Sequence, residues 1–225
     1  MRLYGLFLFF ALCLGSVAMA AASPEANCGC DVTLRPRAGE TDLYINGQTL
    51  GIQPGQKVCI MGGTYYHIFL FNFFGTADRP ITITNCTGQV KISGNAGYGF
   101  LLNNSRYIHV TGSGDPSYNY GFLIDGTVAQ QSVAFAMGDH TTDIELDRIE
   151  VYKAGAGFIY APTPNCDPAT WGSNFTIRNL SLHHNYVHDN AGEAFYIGST
   201  SNTYNFNCNG SAVSVTPQVI HGLKI

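Results

Sequence analysis

The chain carries little charge. Asp, Glu, Lys and Arg together make up 12% of its 225 residues, which is about half of the roughly 25% that is usual in soluble domains. The formal net charge is −4, and the Lys and Arg residues are not clustered. Binding to nucleic acid requires a basic patch, so the composition indicates no nucleic-acid partner.

Long apolar runs are also missing, apart from one at the N-terminus. Arg2 precedes an apolar stretch from Leu3 to Val17, and Ala18-Met19-Ala20 has the small-x-small pattern of a cleavage site. The stretch is too short to span a bilayer, and no later run is longer. We predict a signal peptide over residues 1–20, no transmembrane segment after its removal, and a chain that is secreted to the cell exterior, the cell surface or a periplasm.

The Cys-x-x-Cys spacing of common zinc and redox motifs is absent, because a single residue separates Cys28 from Cys30. Six of the seven cysteines remain after removal of residues 1–20. An even number in an exported chain predicts disulfides. The sequence does not choose among the many pairings that six cysteines allow. We assign residues 21–43 to an N-terminal segment and cap that contains two of these cysteines.

Amphipathic helical patterns are hard to find. Short β-branched and aromatic runs, separated by Gly, Asn, Asp and Pro, predict an all-β chain. The chain also repeats itself, since "AGYGFLL", "AGAGFIY" and "AGEAFYI" begin at Ala96, Ala154 and Ala191. Repeats of a few tens of residues indicate a solenoid. Because these repeats are built of short strands, we predict a right-handed parallel β-helix over residues 44–225.

Alternation within the repeats predicts which side chains face inward. These are Phe100, Leu102, Ile144, Leu146, Ile149, Val151, Phe158, Tyr160, Phe195 and Ile197. Asn185 and Asn190 are predicted at corners, and "DPSYNYG" and "PTPNCDPATWGS" as inserted loops. The final "VIHGLKI" begins another coil without a polar cap, so we expect the β-helix to be truncated at its C-terminus.

One long segment resembles a known family. The segment "IQPGQKVCIMGGTYYHIFLFNFFGTADRPITITN" contains Pro54-Gly55, Gly63-Thr64-Tyr65, Gly75-Thr76-Ala77 and Pro80-Ile81-Thr82-Ile83. It resembles the opening of pectate-lyase-like right-handed parallel β-helix proteins, and the resemblance extends over about residues 44–225. It implies a lyase or hydrolase of acidic polysaccharide. Lyases of this kind use calcium held by carboxylates, with an Arg or Lys as proton acceptor. The cations of the coils here are Arg106, Arg148, Lys153 and Arg178.

The segment "LSLHHNYVHDNAGEAFYIGST" groups three histidines with an aspartate and a glutamate. Aligned on the preceding coil, His183 lies opposite Asp147. Glu193 lies opposite Ala156, where a packed corner would retain a small residue. We predict that the catalytic residues, which transfer protons during cleavage of a polysaccharide, are Glu193, His183, His188 and Asp147. The alternative is that these side chains are solvated strand and corner positions of the scaffold.

A row of carboxylates is the candidate metal site. Asp143, Glu145 and Asp147 alternate with apolar residues and share one outward face, where they could hold calcium, an ion that prefers several oxygen ligands. The alternative is a solvated strand face. Zinc is not expected on His184 and His188, because their helical spacing would not converge on a strand and a turn.

Adjacent coils place Tyr107, His109 and Thr111 on one side of this carboxylate row. Asn179, Ser181 and His183 lie on the other side, which makes a polar surface suited to sugars. We predict substrate contacts from Tyr196, Trp171 and His109, because aromatic faces stack on sugar rings. The function predicted is action on an extracellular polysaccharide or cell-surface glycan, as a lyase or glycoside hydrolase. The alternative is a non-catalytic glycan-binding or cell-surface interaction module.

Overall fold

The computed structural model describes residues 28–94, 97–126 and 133–225, so the predicted signal peptide and Ala96 lie outside the described residues. Strands predominate because β-branched and aromatic side chains suit a pleated, half-buried surface. In chain order they are β1 (Val32–Leu34), β2 (Leu43–Asn46), β3 (Lys57–Tyr65), β4 (Ile68–Phe71), β5 (Ile81–Ile92), β6 (Tyr98–Asn103), β7 (Arg106–Thr111), β8 (Phe122–Asp125), β9 (Val133–Gly138), β10 (Thr142–Asp147), β11 (Ile149–Tyr152), β12 (Ala156–Tyr160), β13 (Thr176–His183), β14 (Tyr186–His188), β15 (Phe195–Ile197), β16 (Tyr204–Cys208), β17 (Ser211–Val215) and β18 (Val219–Lys224). Short helical turns are α1 (Gly47–Leu50) and a 3₁₀ turn at Pro168–Thr170.

Most strands lie in two long parallel sheets, as the repeats predicted. The larger sheet has two branches that share β3 and β5. The first branch has the order β1-β3-β5-β7-β10-β13-β18, and the second continues from the last residues of β3 and β5 through β8, β11 and β14. The other sheet has the order β15-β12-β9-β6-β4-β2. From β10 onward the chain visits the first branch, the second branch and the six-stranded sheet in turn, since parallel neighbours need a crossover between them.

An antiparallel hairpin interrupts this pattern near the C-terminus. Strands β16 and β17 pair with each other around Asn209-Gly210. Both turn residues have positive φ, 52° and 86°. That geometry suits Asn-Gly and matches the twist of the flanking strands. The segment between β15 and β18 is therefore a local insertion rather than a further parallel strand, a feature that the repeat pattern did not predict.

The core follows the predicted alternation. Phe100, Leu102, Ile144, Leu146, Ile149, Val151, Phe158 and Tyr160 are buried, while Phe195 and Ile197 are partly buried and pack against the core. An aromatic column joins successive strands of the six-stranded sheet. Phe135 stacks on Phe100 with ring centroids 4.5 Å apart, and its centroid lies 5.6 Å from that of Phe158. Aromatic packing of this kind adds about 0.5–1.5 kcal/mol per pair to the burial of the rings.

Asparagine side chains stabilise the turns between successive strands. Asn185 accepts a hydrogen bond from the Ile149 amide and donates one to the Leu146 carbonyl, both at 3.0 Å. Asn190 accepts a bond from the Ala154 amide at 2.9 Å. These contacts confirm the prediction of corner positions for both residues, because each ties its turn to the equivalent turn one repeat earlier.

Three disulfides form, Cys28–Cys86, Cys30–Cys59 and Cys166–Cys208. The first two tie the N-terminal segment to β5 and β3, and the third ties the long inserted loop to the end of β16. Each link shortens the free loops of the unfolded chain and typically stabilises the fold by about 2–4 kcal/mol. This use of cysteine fits an extracellular or secreted protein. Within the described residues, no helix has the length and apolar character needed to cross a bilayer.

Candidate functional site

Three neighbouring strands of the first branch carry the polar face. In the register of β7, β10 and β13, His109 pairs with Glu145 and Glu145 with Ser181. One step along, Thr111 pairs with Asp147 and Asp147 with His183. The sequence alignment had placed these side chains in the same rows, and the structure confirms that register. Ile144 and Leu146 point into the core, so the polar residues between them face outward.

A backbone irregularity repeats in the same column of these strands. Tyr107, Asp143 and Asn179 all have positive φ, between 50° and 57°, and Gly222 follows in β18. The register steps over each of them, from Thr142 with Arg106 directly to Ile144 with Ile108, for example. The number of residues stays equal on the paired strands, so this is a left-handed kink that the strands share and not a β-bulge, which adds a residue to one strand. Here Tyr107, Asp143 and Asn179 line a groove of about 390 Å³, together with His109, Glu145 and Ser181.

His109 and Asp147 form the closest polar contact of this face. His109 Nε2 lies 2.5 Å from Asp147 Oδ2. Thr111 donates a second hydrogen bond to Asp147 Oδ1 at 2.7 Å. Asp147 is only 7% exposed, and a buried carboxylate costs several kcal/mol unless it is paired and hydrogen-bonded. The imidazole and the threonine hydroxyl supply that compensation, so Asp147 fixes the orientation of the His109 ring.

A second pair, His183 and Glu145, forms a contact on the same face. His183 Nε2 lies 2.8 Å from Glu145 Oε1, and His183 Nδ1 lies 2.7 Å from His184 Nδ1. A bond between two Nδ1 atoms requires one protonated and one unprotonated nitrogen, so each ring constrains the protonation of the other. Both nitrogens of His183 are therefore engaged. No described residue hydrogen-bonds Nδ1 of His109, which leaves that nitrogen for a ligand in the groove.

The cluster also brings together three atoms suited to a cation. One ligand atom each from His109, Glu145 and Asp147 lie within 4.8 Å of one another. Asp143, the third member of the predicted calcium row, has other partners. Asn179 donates to its Oδ1 at 2.6 Å, and the Thr142 hydroxyl donates to its Oδ2 at 3.2 Å. The converging set is thus one imidazole with two carboxylates, while Asp143 lies beside it on the groove wall.

His188 occupies a different site, on β14 in the second branch. Its Nδ1 lies 2.9 Å from Asp189 Oδ2 and its Nε2 lies 3.3 Å from Glu150 Oε1, on opposite sides of the ring. Tyr186 stacks on it with centroids 4.1 Å apart, and Tyr152 lies 4.9 Å away. The hydrogen bond to Asp189 is the main cause that raises the pKa of His188 above its ordinary value. Because both nitrogens and both ring faces are in contact with neighbours, His188 is held in a fixed position within an aromatic stack.

The remaining predicted residues lie elsewhere. Glu193 is exposed in the segment between β14 and β15, and its backbone carbonyl accepts a bond from the Gly157 amide. Tyr196 lies on β15 in the six-stranded sheet, next to Ile159. Trp171 ends the 3₁₀ turn and donates from Nε1 to the Asn165 carbonyl at 2.8 Å. The structure thus groups Asp147, His183 and His109 and separates them from these three residues.

The sequence identified these residues but did not predict which of them contact one another. It assigned His109 to substrate contact and Asp147 to catalysis, but did not pair them, and it gave Glu145 only a metal-binding role. The available signal was the position of His109 and Glu145 in one row of the register and of Asp147 and His183 in the next row. Long side chains on adjacent strands reach a diagonal neighbour about 7–8 Å away.

No family model, curated protein or solved structure matches the chain. What the structure defines is an all-β protein with long parallel sheets, three disulfides and an outward cluster of two histidines and two carboxylates beside a groove.

Proposed function

We propose that the parallel sheets are the faces of a right-handed parallel β-helix of the pectate-lyase-like kind. Three features support this. In the two parallel sheets, strands pair with the equivalent strand one repeat away, as in β7, β10 and β13. Aromatic residues stack in one inward column. Asparagine side chains bridge successive corners. A solenoid of this kind presents a long, regular outer face to an extended polymer.

The polar face on β7, β10 and β13 acts on an extracellular polysaccharide, and His109 is its proton-transfer residue. The observation that carries this proposal is the contact of His109 with the buried Asp147 beside the groove. A buried carboxylate that orients a partly exposed imidazole is the arrangement used for general-base catalysis. Asp147 accepts a hydrogen bond from the ring and does not itself reach the substrate, so its role is positioning.

Elimination from a uronate-containing chain is the reaction that this arrangement favours. His109 Nδ1 takes the ring hydrogen next to the sugar carboxylate. A carbon–carbon double bond forms as the glycosidic bond to the leaving oxygen breaks. The leaving oxygen takes a proton from the Tyr107 hydroxyl, since Tyr107 also lines the groove. Arg148 is half-exposed, with Nε 3.9 Å from Asp147 Oδ1, and in this proposal its positive charge neutralises the sugar carboxylate.

Hydrolysis is the second candidate, and one distance favours it. Carboxylate oxygens of Glu145 and Asp147 lie within 4.8 Å of each other. Retaining glycosidases separate their two carboxyl groups by about 5–5.5 Å, whereas inverting enzymes need about 6.5–9.5 Å. In this reaction Asp147 is the nucleophile and Glu145 the acid and base. The buried position of Asp147 favours elimination over this alternative.

A depolymerisation assay separates these candidates. The full-length secreted protein is incubated with a panel of acidic and neutral polysaccharides, and unsaturated ends are followed by ultraviolet absorbance and all new ends by reducing-sugar assay. His109→Gln is expected to lower the rate about 100-fold or more, the usual share of a general base. His140→Gln is the matched control, because its ring contacts the Ala169 carbonyl away from the groove.

Each outcome decides between the candidates. Unsaturated products that disappear in His109→Gln support elimination. Saturated products that disappear in Glu145→Gln and Asp147→Asn support retaining hydrolysis. Binding across the panel without any product contradicts the enzyme proposal and supports a non-catalytic glycan-binding module. Activity that survives His109→Gln but is lost in Glu193→Gln would move the site to the segment between β14 and β15.

A further inference from the structure

We infer that His109, Glu145 and Asp147 form a binding site for a divalent first-row transition ion, of which Zn²⁺ is the type. The inference does not depend on the proposed polysaccharide activity. Within the described residues, only two groups of His, Cys, Asp or Glu bring three ligand atoms close enough to hold a metal. The other is Cys28, Cys30 and Cys86, whose sulfurs are used in disulfides.

The geometry is close to that of a bound ion. Zinc holds nitrogen and oxygen ligands at about 2.0–2.2 Å, so two ligands of one ion lie at most about 4.4 Å apart. The three atoms here lie within 4.8 Å of one another, and His109 Nε2 and Asp147 Oδ2 are 2.5 Å apart, whereas two ligands of one tetrahedral ion lie about 3.3–3.6 Å apart. Binding of the ion therefore requires that this pair separates by about 1 Å and that the half-exposed Glu145 side chain adjusts its position. Water or a ligand supplies the fourth donor.

The donor types point to the class of ion. Imidazole nitrogen suits Zn²⁺, Cu²⁺, Ni²⁺ and Fe²⁺, whereas Ca²⁺ takes six to eight oxygen ligands. The two carboxylates of this set balance the charge of a divalent ion. Further, Thr111 holds Asp147 and His183 holds Glu145 through hydrogen bonds, which are the outer contacts that orient metal ligands.

The ion takes the place of a proton. His109 Nε2 donates to the Asp147 carboxylate when the site holds no metal, and a metal ligand must be unprotonated at the ligating nitrogen. A neutral imidazole meets this requirement by carrying its proton on Nδ1, so binding at Nε2 replaces the hydrogen bond to Asp147 by a bond to the ion and leaves the ring neutral. The metal-bound form and a form in which His109 acts as a base exclude each other.

His188 provides the matched control. It also contacts two carboxylates, but these bond opposite ring nitrogens, 2.9 Å from Nδ1 and 3.3 Å from Nε2. Its donor atoms point away from one another, so no single ion can reach all of them. Replacing His188 removes an imidazole flanked by acids and leaves the converging set intact.

The test is calorimetric titration of the tag-free, disulfide-bonded full-length protein with ZnCl₂. We expect one Zn²⁺ per chain and a loss of affinity of about tenfold or more in His109→Ala and in Glu145→Gln. The His188→Ala variant is expected to retain the wild-type affinity. Glu145→Gln affects a half-exposed side chain, so it tests the site even if His109→Ala fails to fold.

Several results would overturn the inference. These are the absence of Zn²⁺ binding, an equal loss in His188→Ala and His109→Ala, or binding that survives both His109→Ala and Glu145→Gln. Calcium binding that is lost in Asp143→Asn but unaffected by His109→Ala would favour the carboxylate row of Asp143, Glu145 and Asp147 instead. Since no substrate is present in the titration, failure of polysaccharide cleavage and failure of metal binding are separate results.

Discussion

The contact between His109 and Asp147 makes a prediction about stability that a double-mutant cycle can measure. His109→Ala leaves the buried Asp147 carboxylate with Thr111 as its remaining hydrogen-bond donor. Removing one partner of a buried pair costs about 3–5 kcal/mol when nothing compensates. Because Thr111 remains and water can enter at the groove, we expect a loss of about 2–3 kcal/mol in the free energy of unfolding.

The second single variant of the cycle, Asp147→Ala, should lose less of the free energy of unfolding. Asp147→Ala removes the group that is expensive to bury, and the His109 side chain is 30% exposed and can be solvated. We expect this variant to lose about 1–2 kcal/mol, and the double variant to lose little more. The coupling energy is then about 2 kcal/mol. Urea titration of the disulfide-bonded proteins measures it, with midpoint differences of about 1 M for an m-value near 2 kcal/mol/M.

His183 and Glu145 supply the comparison within the same face. Their contact is 2.8 Å long, but the Glu145 side chain is 47% exposed, and exposed ion pairs contribute about 0–1 kcal/mol. The coupling between His183→Ala and Glu145→Ala should therefore be the smaller of the two. A His109–Asp147 coupling energy no larger than that of the exposed pair would refute the conclusion that the His109 imidazole compensates the burial of the Asp147 carboxylate.

Three further outcomes follow from the structure. The hydrogen bond with Asp189 raises the pKa of His188, so the contribution of His188 to stability is complete below about pH 6.5 and is lost as pH rises through the raised pKa. The difference in unfolding free energy between wild type and His188→Gln should therefore narrow over that pH range, and a constant difference would contradict this. Asn185→Ala should lower the free energy of unfolding in urea by about 2 kcal/mol and Asn190→Ala by about 1 kcal/mol, because the first variant loses two hydrogen bonds and the second loses one. Equal losses would contradict this prediction. Phe135→Ala should cost about 3–5 kcal/mol in the same assay, because the ring is fully buried between two others, and a loss below about 1 kcal/mol would contradict that packing.

The parallel strands and their facing could be predicted because the relevant signals are local. In "DIELD", Asp143 to Asp147, each polar residue alternates with an apolar one, and a period of two requires nothing from the rest of the chain. Aligning two repeats was then enough to place His183 opposite Asp147. The hairpin of β16 and β17 was missed because its signal, Asn209-Gly210, is not part of any repeat. A search for turns independent of the repeats would have found it.

The site was harder to predict because its contacts run diagonally across strands. Register gives the row of a side chain, but not whether it bonds straight across or to the next row. Glu145 lies opposite His109 in the register, yet it bonds His183, and Asp147 lies opposite His183, yet it bonds His109. Side-chain length and burial decide between these partners, and neither can be obtained from an alignment of repeats.

His109 and His188 differ in geometry rather than in composition, and that difference assigns their roles. Each imidazole has two carboxylates nearby. Around His188 the carboxylates bond opposite nitrogens and tyrosines pack against the ring, so both nitrogens are occupied and the ring is held in place. Around His109 both carboxylates lie toward one side, and Nδ1 has no hydrogen-bond partner among the described residues. Only this second arrangement leaves a nitrogen, Nδ1, that can exchange a proton with a bound molecule, and only its carboxylates converge near Nε2, where an ion can replace the hydrogen bond to Asp147.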